Sequence, residues 1–211
     1  MTFSIALRTV PERSFLFSSL MRQLVQETAL SEGAVRGIHV SRRPDVTPNE
    51  NACLALEAAL QDRAEWTLFI EDDAGPIDDF LGSVDRWLAK YQREDIHIYP
   101  LGCQYSHAWP KIGDAWEYPI SKFYCSVAMV IRAVFIPSLL VYIRSHEARQ
   151  GFDLMSGRWH QTVSSSPFLL TPMPCFIEHL GDQSTLIDGR SERNVVGRFA
   201  GFAGREYVYR G

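Results

Sequence analysis

Three carboxylates in succession, Glu71, Asp72 and Asp73, follow the apolar run from Thr67 to Ile70 with no spacer between. Carboxylates this close repel one another and raise each other's proton affinity. A divalent cation removes that cost by supplying opposite charge and taking oxygen ligands, and magnesium or manganese suits such a cluster. The competing explanation is that the acids only serve the dipole of a following helix, which favours negative charge at its start. Pro76 suits a first helical position, and Asp78 and Asp79 would then fill the first turn. Glu71 to Asp73 are surplus to that need.

The elements that must position these acids alternate. A strand at 3–7 runs through "RTVPER" into a helix at 14–30, where Phe15, Leu16, Leu20, Leu24 and Val25 are expected to form one apolar face. A strand at 34–41, a polar loop and a helix at 51–62 follow, then the strand at 65–70, whose nearly continuous apolar run reads as buried on both faces. After the acids, Ile77, Phe80, Leu81, Val84, Trp87, Leu88 and Tyr91 make an unbroken helical stripe. The remainder reads as a strand at 95–102, a loop-rich insert at 103–122, a strand at 123–132, a helix at 133–148, the polar segment "GFDLMSGRW" and a proline-broken strand at 166–181. Alternation of this kind predicts an α/β fold with a Rossmann-like, mostly parallel central sheet flanked by helices. Such sheets bind ligands at the carboxyl ends of their strands, which is where the triplet falls.

Composition sets the outer bounds. With 211 residues, 46% of them hydrophobic and 22% charged, the chain reads as one soluble domain with a full core. A formal charge of -4 argues against general nucleic-acid binding. The N-terminus lacks a secretory pattern, and Arg132 and Pro137 interrupt the longest apolar stretch, so a cytoplasmic protein without a membrane span is expected. Cys53, Cys103, Cys125 and Cys175 form no C-x-x-C pair and read as free thiols, although two bridges between distant cysteines stay open.

The stretch "LFIEDDAGP" resembles the metal-binding signature of GT-A glycosyltransferases, a strand ending in a D-x-D-type motif, here in Glu-Asp-Asp form. The resemblance implies a GT-A-like single domain over 1–211. Residues 1–100 would be the nucleotide-sugar-binding half, 101–187 the acceptor-side half and 188–211 a tail that is mobile or folds over a site. It casts Asp73 as the ligand of Mn2+ or Mg2+, and Glu71 and Asp72 as neighbours of the nucleotide sugar, with Glu71 nearer the ribose and metal-bound water. "IALRTVPER" resembles the family's first strand and nucleotide-binding loop, which makes Arg8, Thr9, Val10 and Arg13 candidates for the base and ribose. Asp45 either accepts from the nucleobase or belongs to a turn, and Asn51 either contacts the sugar or caps a helix.

In the second half, His179 either completes the metal shell and contacts the diphosphate or closes a strand structurally. Asp153 either deprotonates the hydroxyl acceptor, which predicts inversion, or caps a helix or pairs with Arg158. If Asp153 is not the base, a retaining route stays open. Trp159 and His160 either line the acceptor side or belong to the core, and Tyr105, Trp109, Trp116 and Tyr118 carry no assigned role.

The resemblance implies a metal-dependent glycosyltransferase that moves a sugar from a nucleotide diphosphate sugar, UDP-linked, to a hydroxyl acceptor on a glycan, a small molecule or modified DNA. Three alternatives stand beside it. The arginine- and aromatic-rich tail 190–211 suits a phage-type enzyme acting on hydroxymethylated bases in DNA. A nucleotidyltransferase shares the layout, although "RTVPER" lacks the glycine-rich loop usual there. A non-catalytic nucleotide-sugar-binding module is the third.

Overall fold

β1 (Phe3–Arg8) is buried along its whole length, as expected of a strand covered on both faces. The computed structural model describes residues 1–102, 110–123, 127–146 and 151–180. Expectations for Cys103, Tyr105, Trp109, Cys125 and the 188–211 tail lie outside them.

From β1 the chain passes through α1 (Ser14–Leu30) to β2 (Val35–Ser41), then through α2 (Pro48–Leu60) to β3 (Trp66–Glu71). The order β2-β1-β3 reverses direction at β1, and all three strands are parallel. Crossovers of this type are right-handed, so the reversal sends α1 and α2 to opposite faces of the sheet. The packing agrees: α2 lies against β1 and β2. Thr47 caps α2 by accepting from the Glu50 N–H, with Pro48 in the first turn, where its missing N–H costs nothing.

The chain then forms the short β4 (Ala74–Pro76), α3 (Phe80–Tyr91), β5 (Ile98–Pro100), β6 (Lys111–Ile112), β7 (Ala115–Pro119) and β8 (Ala128–Arg132). It continues through α4 (Ile136–Ser145), α5 (Phe152–Val163), β9 (Phe168–Pro172) and β10 (Ile177–His179). β8 runs antiparallel between β3 and β5, completing a five-stranded, mostly parallel sheet in the order β2-β1-β3-β8-β5. α1 packs against α3, and α2, α4 and α5 pack with one another. Among the described residues no helix is long and apolar enough to cross a membrane.

Four local expectations need correction. Pro76 does not open a helix: it ends β4, and α3 begins at Phe80 after Asp79 in a left-handed conformation, so Asp78 and Asp79 precede the helix instead of filling its first turn. The single strand expected at 166–181 is two strands, β9 paired with β7 and β10 paired with β4. The insert at 103–122 contributes β6 and β7, which bury Trp116 and Tyr118. In α1, Leu20 and Leu24 are buried, but Phe15 is 82% exposed and Val25 53%. At about 100° per residue, Phe15 lies roughly 140° around the helix from Leu20, off the buried stripe.

The polar segment after α4 is also a helix, α5, whose Trp159 and His160 are core residues and do not line an acceptor side. His160 Nε2 accepts from the His97 backbone N–H at 3.1 Å, which requires an unprotonated Nε2. Burial, with the neighbouring His97 adding to it, pushes the His160 pKa down to about 4, against the pull of Asp95. The unfolded chain therefore binds a proton at this position from about pH 6.5 downward, whereas the folded chain does so only near 4. The stability contribution is complete above the upper value and is lost as pH falls to the lower one, an effect of about 3 kcal/mol. His160→Gln keeps an acceptor without a titrating ring. Urea denaturation is expected to show a smaller loss of stability between about pH 7 and pH 4.5 in that variant than in the wild type.

Candidate functional site

Parallel registration brings the carboxyl ends of β2, β1 and β3 level, with Arg8 opposite Ser41 on one side and Glu71 on the other. From β1 the chain turns toward β2, and from β3 it departs toward β5 on the other side of the sheet. The crevice between the ends of β1 and β3 is thus a topological switch point, where open α/β sheets bind ligands. Arg8 and Glu71 flank it and pair across it, Nη2 to Oε2, at 2.6 Å.

The three acids have different surroundings. Asp72 Oδ2 accepts from Thr9 Oγ1 and from the Val10 N–H, both at 2.9 Å, and its Oδ1 lies 3.1 Å from Arg13 Nη1. It is tied to the loop after β1. Asp73 Oδ2 takes a close contact from the same Arg13 nitrogen and lies 3.0 Å from His179 Nε2. Its Oδ1 is buried and, among the described residues, without a hydrogen-bond partner. Glu71 is more open, at 15% side-chain exposure against 2% for each of the other two.

His179 arrives from 106 residues away through one ladder. β10 pairs antiparallel with β4, which sets His179 opposite Ala74, and the Leu180 N–H donates to the Asp73 carbonyl at 2.8 Å. Burial disfavours the ionised form of Asp73, but the hydrogen bond and charge of His179, with Arg13 and Arg8, outweigh it and hold the carboxyl below its usual range. Burial raises Glu71 above the usual range against the pull of Arg8, and the charges of Asp73 and Asp153 add to that rise. For Arg13, burial works against the charge, and Asp73 and Asp72 overcome it, so the guanidinium is held still more firmly in its protonated form.

Asp153 enters through aromatic packing. Its neighbour Phe152 lies with its ring 4.4 Å from that of Phe69, two residues before Glu71. Asp153 lies in the first turn of α5, whose N-cap is Gly151, so it is not the cap; its Oδ1 accepts from the Leu154 N–H at 2.8 Å, and the side chain remains close enough to influence Glu71. Asn51 joins from α2, its Nδ2 donating to the Thr9 carbonyl at 3.1 Å while its Oδ1 accepts from Ser41 Oγ and from the Arg43 N–H. Asp45 stands apart. It is paired with Arg43 at 2.7 Å, its side chain 60% exposed, in the turn that was the alternative for "RRPDVTP".

No protein-family model matches the chain, and no characterised protein matches it in sequence. Among solved structures it is similar to a glycosyltransferase involved in the glycosylation of the major capsid of PBCV-1. That match has a TM-score of 0.50 and 8% identity and covers 78% of this chain and 79% of the other. The fold is GT-A-like. Two looser likenesses are a mannose-1-phosphate geranyltransferase from Thermus thermophilus and a Drosophila β-1,4-galactosyltransferase 7. The first has a TM-score of 0.47 at 13% identity over 82% of this chain and 74% of the other. The second, a complex with manganese, UDP-Gal and xylobiose, has a TM-score of 0.41 at 12% identity over 66% and 52%.

The donor set fits a cation whose shell is completed by ligands from outside the protein better than a cation held by protein alone. Among the described residues no group of three or more His, Cys, Asp or Glu side chains is placed to hold a metal. Asp73 and His179 offer a carboxylate oxygen and an imidazole nitrogen, a pair suited to manganese, and magnesium-type sites often use one or two protein ligands with substrate phosphates completing the shell. The unpartnered Asp73 Oδ1 is the atom such an ion would satisfy. Two residues at this end of the sheet were not singled out from sequence. Ser41 orients Asn51, and Arg42 Nη2 reaches the Pro11 carbonyl at 3.3 Å. Their one advance signal was a position at the end of β2.

Proposed function

We propose that this protein is a metal-dependent glycosyltransferase that moves a sugar from a nucleotide diphosphate sugar, UDP-linked, to a hydroxyl acceptor. The observation that carries the reading is Asp73, buried beside the ends of β1 and β3, with one oxygen against His179 and Arg13 and the other unpartnered. A buried carboxylate oxygen without a donor is costly, and it is retained where a ligand supplies the missing partner. Asp73 and His179 would hold Mn2+ or Mg2+, which when bound supplies Lewis-acid stabilisation of the departing diphosphate.

The remaining roles fall to side chains of this chain. Thr9, Val10 and Asn51 fix the loop that receives the nucleotide, because Asp72 and Asn51 lock its backbone from two sides. Arg8 and Arg13 bring positive charge to the point where negative charge develops as the glycosidic bond breaks. Asp153 takes the acceptor hydroxyl proton as the sugar carbon is attacked, and the product is inverted. Asp45, at the rim and already paired with Arg43, reaches the nucleobase only by releasing that partner.

The test is a panel of nucleotide sugars incubated with the protein and manganese, with and without chelator, with free nucleotide diphosphate as the readout. Release that depends on the ion supports the reading. Release indifferent to chelator, or none from any donor, overturns it. Asp153→Asn is expected to lower acceptor-dependent turnover about a hundredfold with an unchanged melting temperature. Undiminished turnover removes Asp153 as the base.

A further inference from the structure

Arg13 occupies a position that the nucleotide-binding role alone does not explain. Its Nη1 bridges Asp72 Oδ1 and Asp73 Oδ2, and its side chain is only 12% exposed. A guanidinium is built to reach outward to phosphates, yet here it is folded inward onto two carboxylates. Around the crevice three carboxylates, Glu71, Asp72 and Asp73, face two guanidiniums, Arg8 and Arg13. A divalent ion bound at Asp73 would lie directly beside the Arg13 guanidinium that already holds Oδ2, a like-charge contact in a buried place that is unfavourable unless the guanidinium departs or an anion enters with the ion.

We propose that Arg13 is a built-in counter-cation, and that its guanidinium and the divalent ion hold Asp73 in turn. The inference rests on the transferase reading for the metal's purpose and names how that site is kept when empty of donor. The contacts divide to suit an exchange. Without Arg13, Asp72 keeps both bonds to Oδ2, from Thr9 Oγ1 and the Val10 N–H, so the loop stays closed. His179 stays beside Asp73, because β10 fixes it through the Leu180 N–H, and its Nε2 is placed to pass from Asp73 to the ion. Only the Arg13 contacts are made by a long side chain with rotamers to spare, on the short turn Pro11–Arg13. The displaced guanidinium remains on the loop beside the diphosphate, whose charge it can then meet.

The exchange is tested on wild-type protein by arginine-directed modification with phenylglyoxal, read residue by residue by mass spectrometry. Arg13 is expected to be protected without metal and modified several-fold faster in saturating Mn2+, while exposed Arg36 reacts at one rate throughout. Arg13 protection that persists with Mn2+ bound overturns the proposal. Titration with Mn2+ alone, followed by electron paramagnetic resonance, supplies the second arm. Arg13→Gln and Arg13→Met are expected to bind about tenfold or more tightly than wild type, Arg13→Lys much less so, and Asp73→Asn in the Arg13→Gln background is expected to abolish the gain. A variant that folds only when Mn2+ is added supports the exchange, because the ion then replaces the missing charge. Variants that bind Mn2+ no better than wild type, or that stay unfolded with it, overturn it. A donor panel without turnover beside a positive Mn2+ result would reject the transferase and keep the exchange, and the converse result would do the opposite.

Discussion

Asp73→Asn is expected to lower sugar transfer on the order of a thousandfold while leaving the fold intact, because a cation at a leaving diphosphate contributes several kcal/mol of charge stabilisation. The side chain keeps its shape, and the Asp73 carbonyl still accepts from the Leu180 N–H, so the β4 and β10 pairing that brings in His179 persists. The substitution removes the charge facing Arg13 and His179, but Arg13 retains Asp72. The melting temperature should therefore move by no more than about 8 °C, the upper end of the shift expected for roughly 1 to 2 kcal/mol in a chain of this size. Steady-state kinetics with the accepted donor, paired with a thermal melt, checks both halves. Transfer within about tenfold of wild type would remove Asp73 from the chemistry.

One residue earlier the expected outcome is reversed. Asp72→Ala is expected to cost about 3 to 5 kcal/mol of stability, because it strips a buried acceptor from the Thr9 hydroxyl and the Val10 N–H and takes from Arg13 one of its carboxylates. That carboxylate holds one side of the connection after β1, while Asn51 holds the Thr9 carbonyl on the other. Urea denaturation should show the midpoint falling with the slope preserved, and any loss of activity should follow the loss of folded protein. Asp72→Asn keeps a carbonyl acceptor and should lose markedly less. A stable Asp72→Ala protein without activity would instead make Asp72 a direct contact of the substrate.

Much of this arrangement is legible in the residues. The apolar run at Trp66–Ile70 requires a covered strand, and the stripe from Phe80 to Tyr91 requires a helix buried along one side, because period and hydrophobicity are local properties. Arg8 and Glu71 follow as neighbours once β1 and β3 are parallel and adjacent. Other features were not legible. Trp159 and His160 look like polar-segment residues in "GFDLMSGRWHQ", and only packing against β5 and α4 makes their side of α5 interior. Pro76 has the chemistry of a helix start, yet its place in a strand comes from pairing with Ile177, about a hundred residues away.

By itself the sequence determined that a strand ends in three carboxylates, that strands and helices alternate around it, and that arginines follow the first strand. Those are statements about neighbours along the chain, where sterics and hydrophobic period act directly. Only the tertiary structure decided how the three acids divide their work. Asp72 turns to the loop, Glu71 to Arg8, and Asp73 to His179 and Arg13, with one oxygen left unpartnered. Identical charge and near-identical side chains cannot make that distinction: it arises from which donors distant strands bring within hydrogen-bond reach, and from how completely each carboxylate is withdrawn from water.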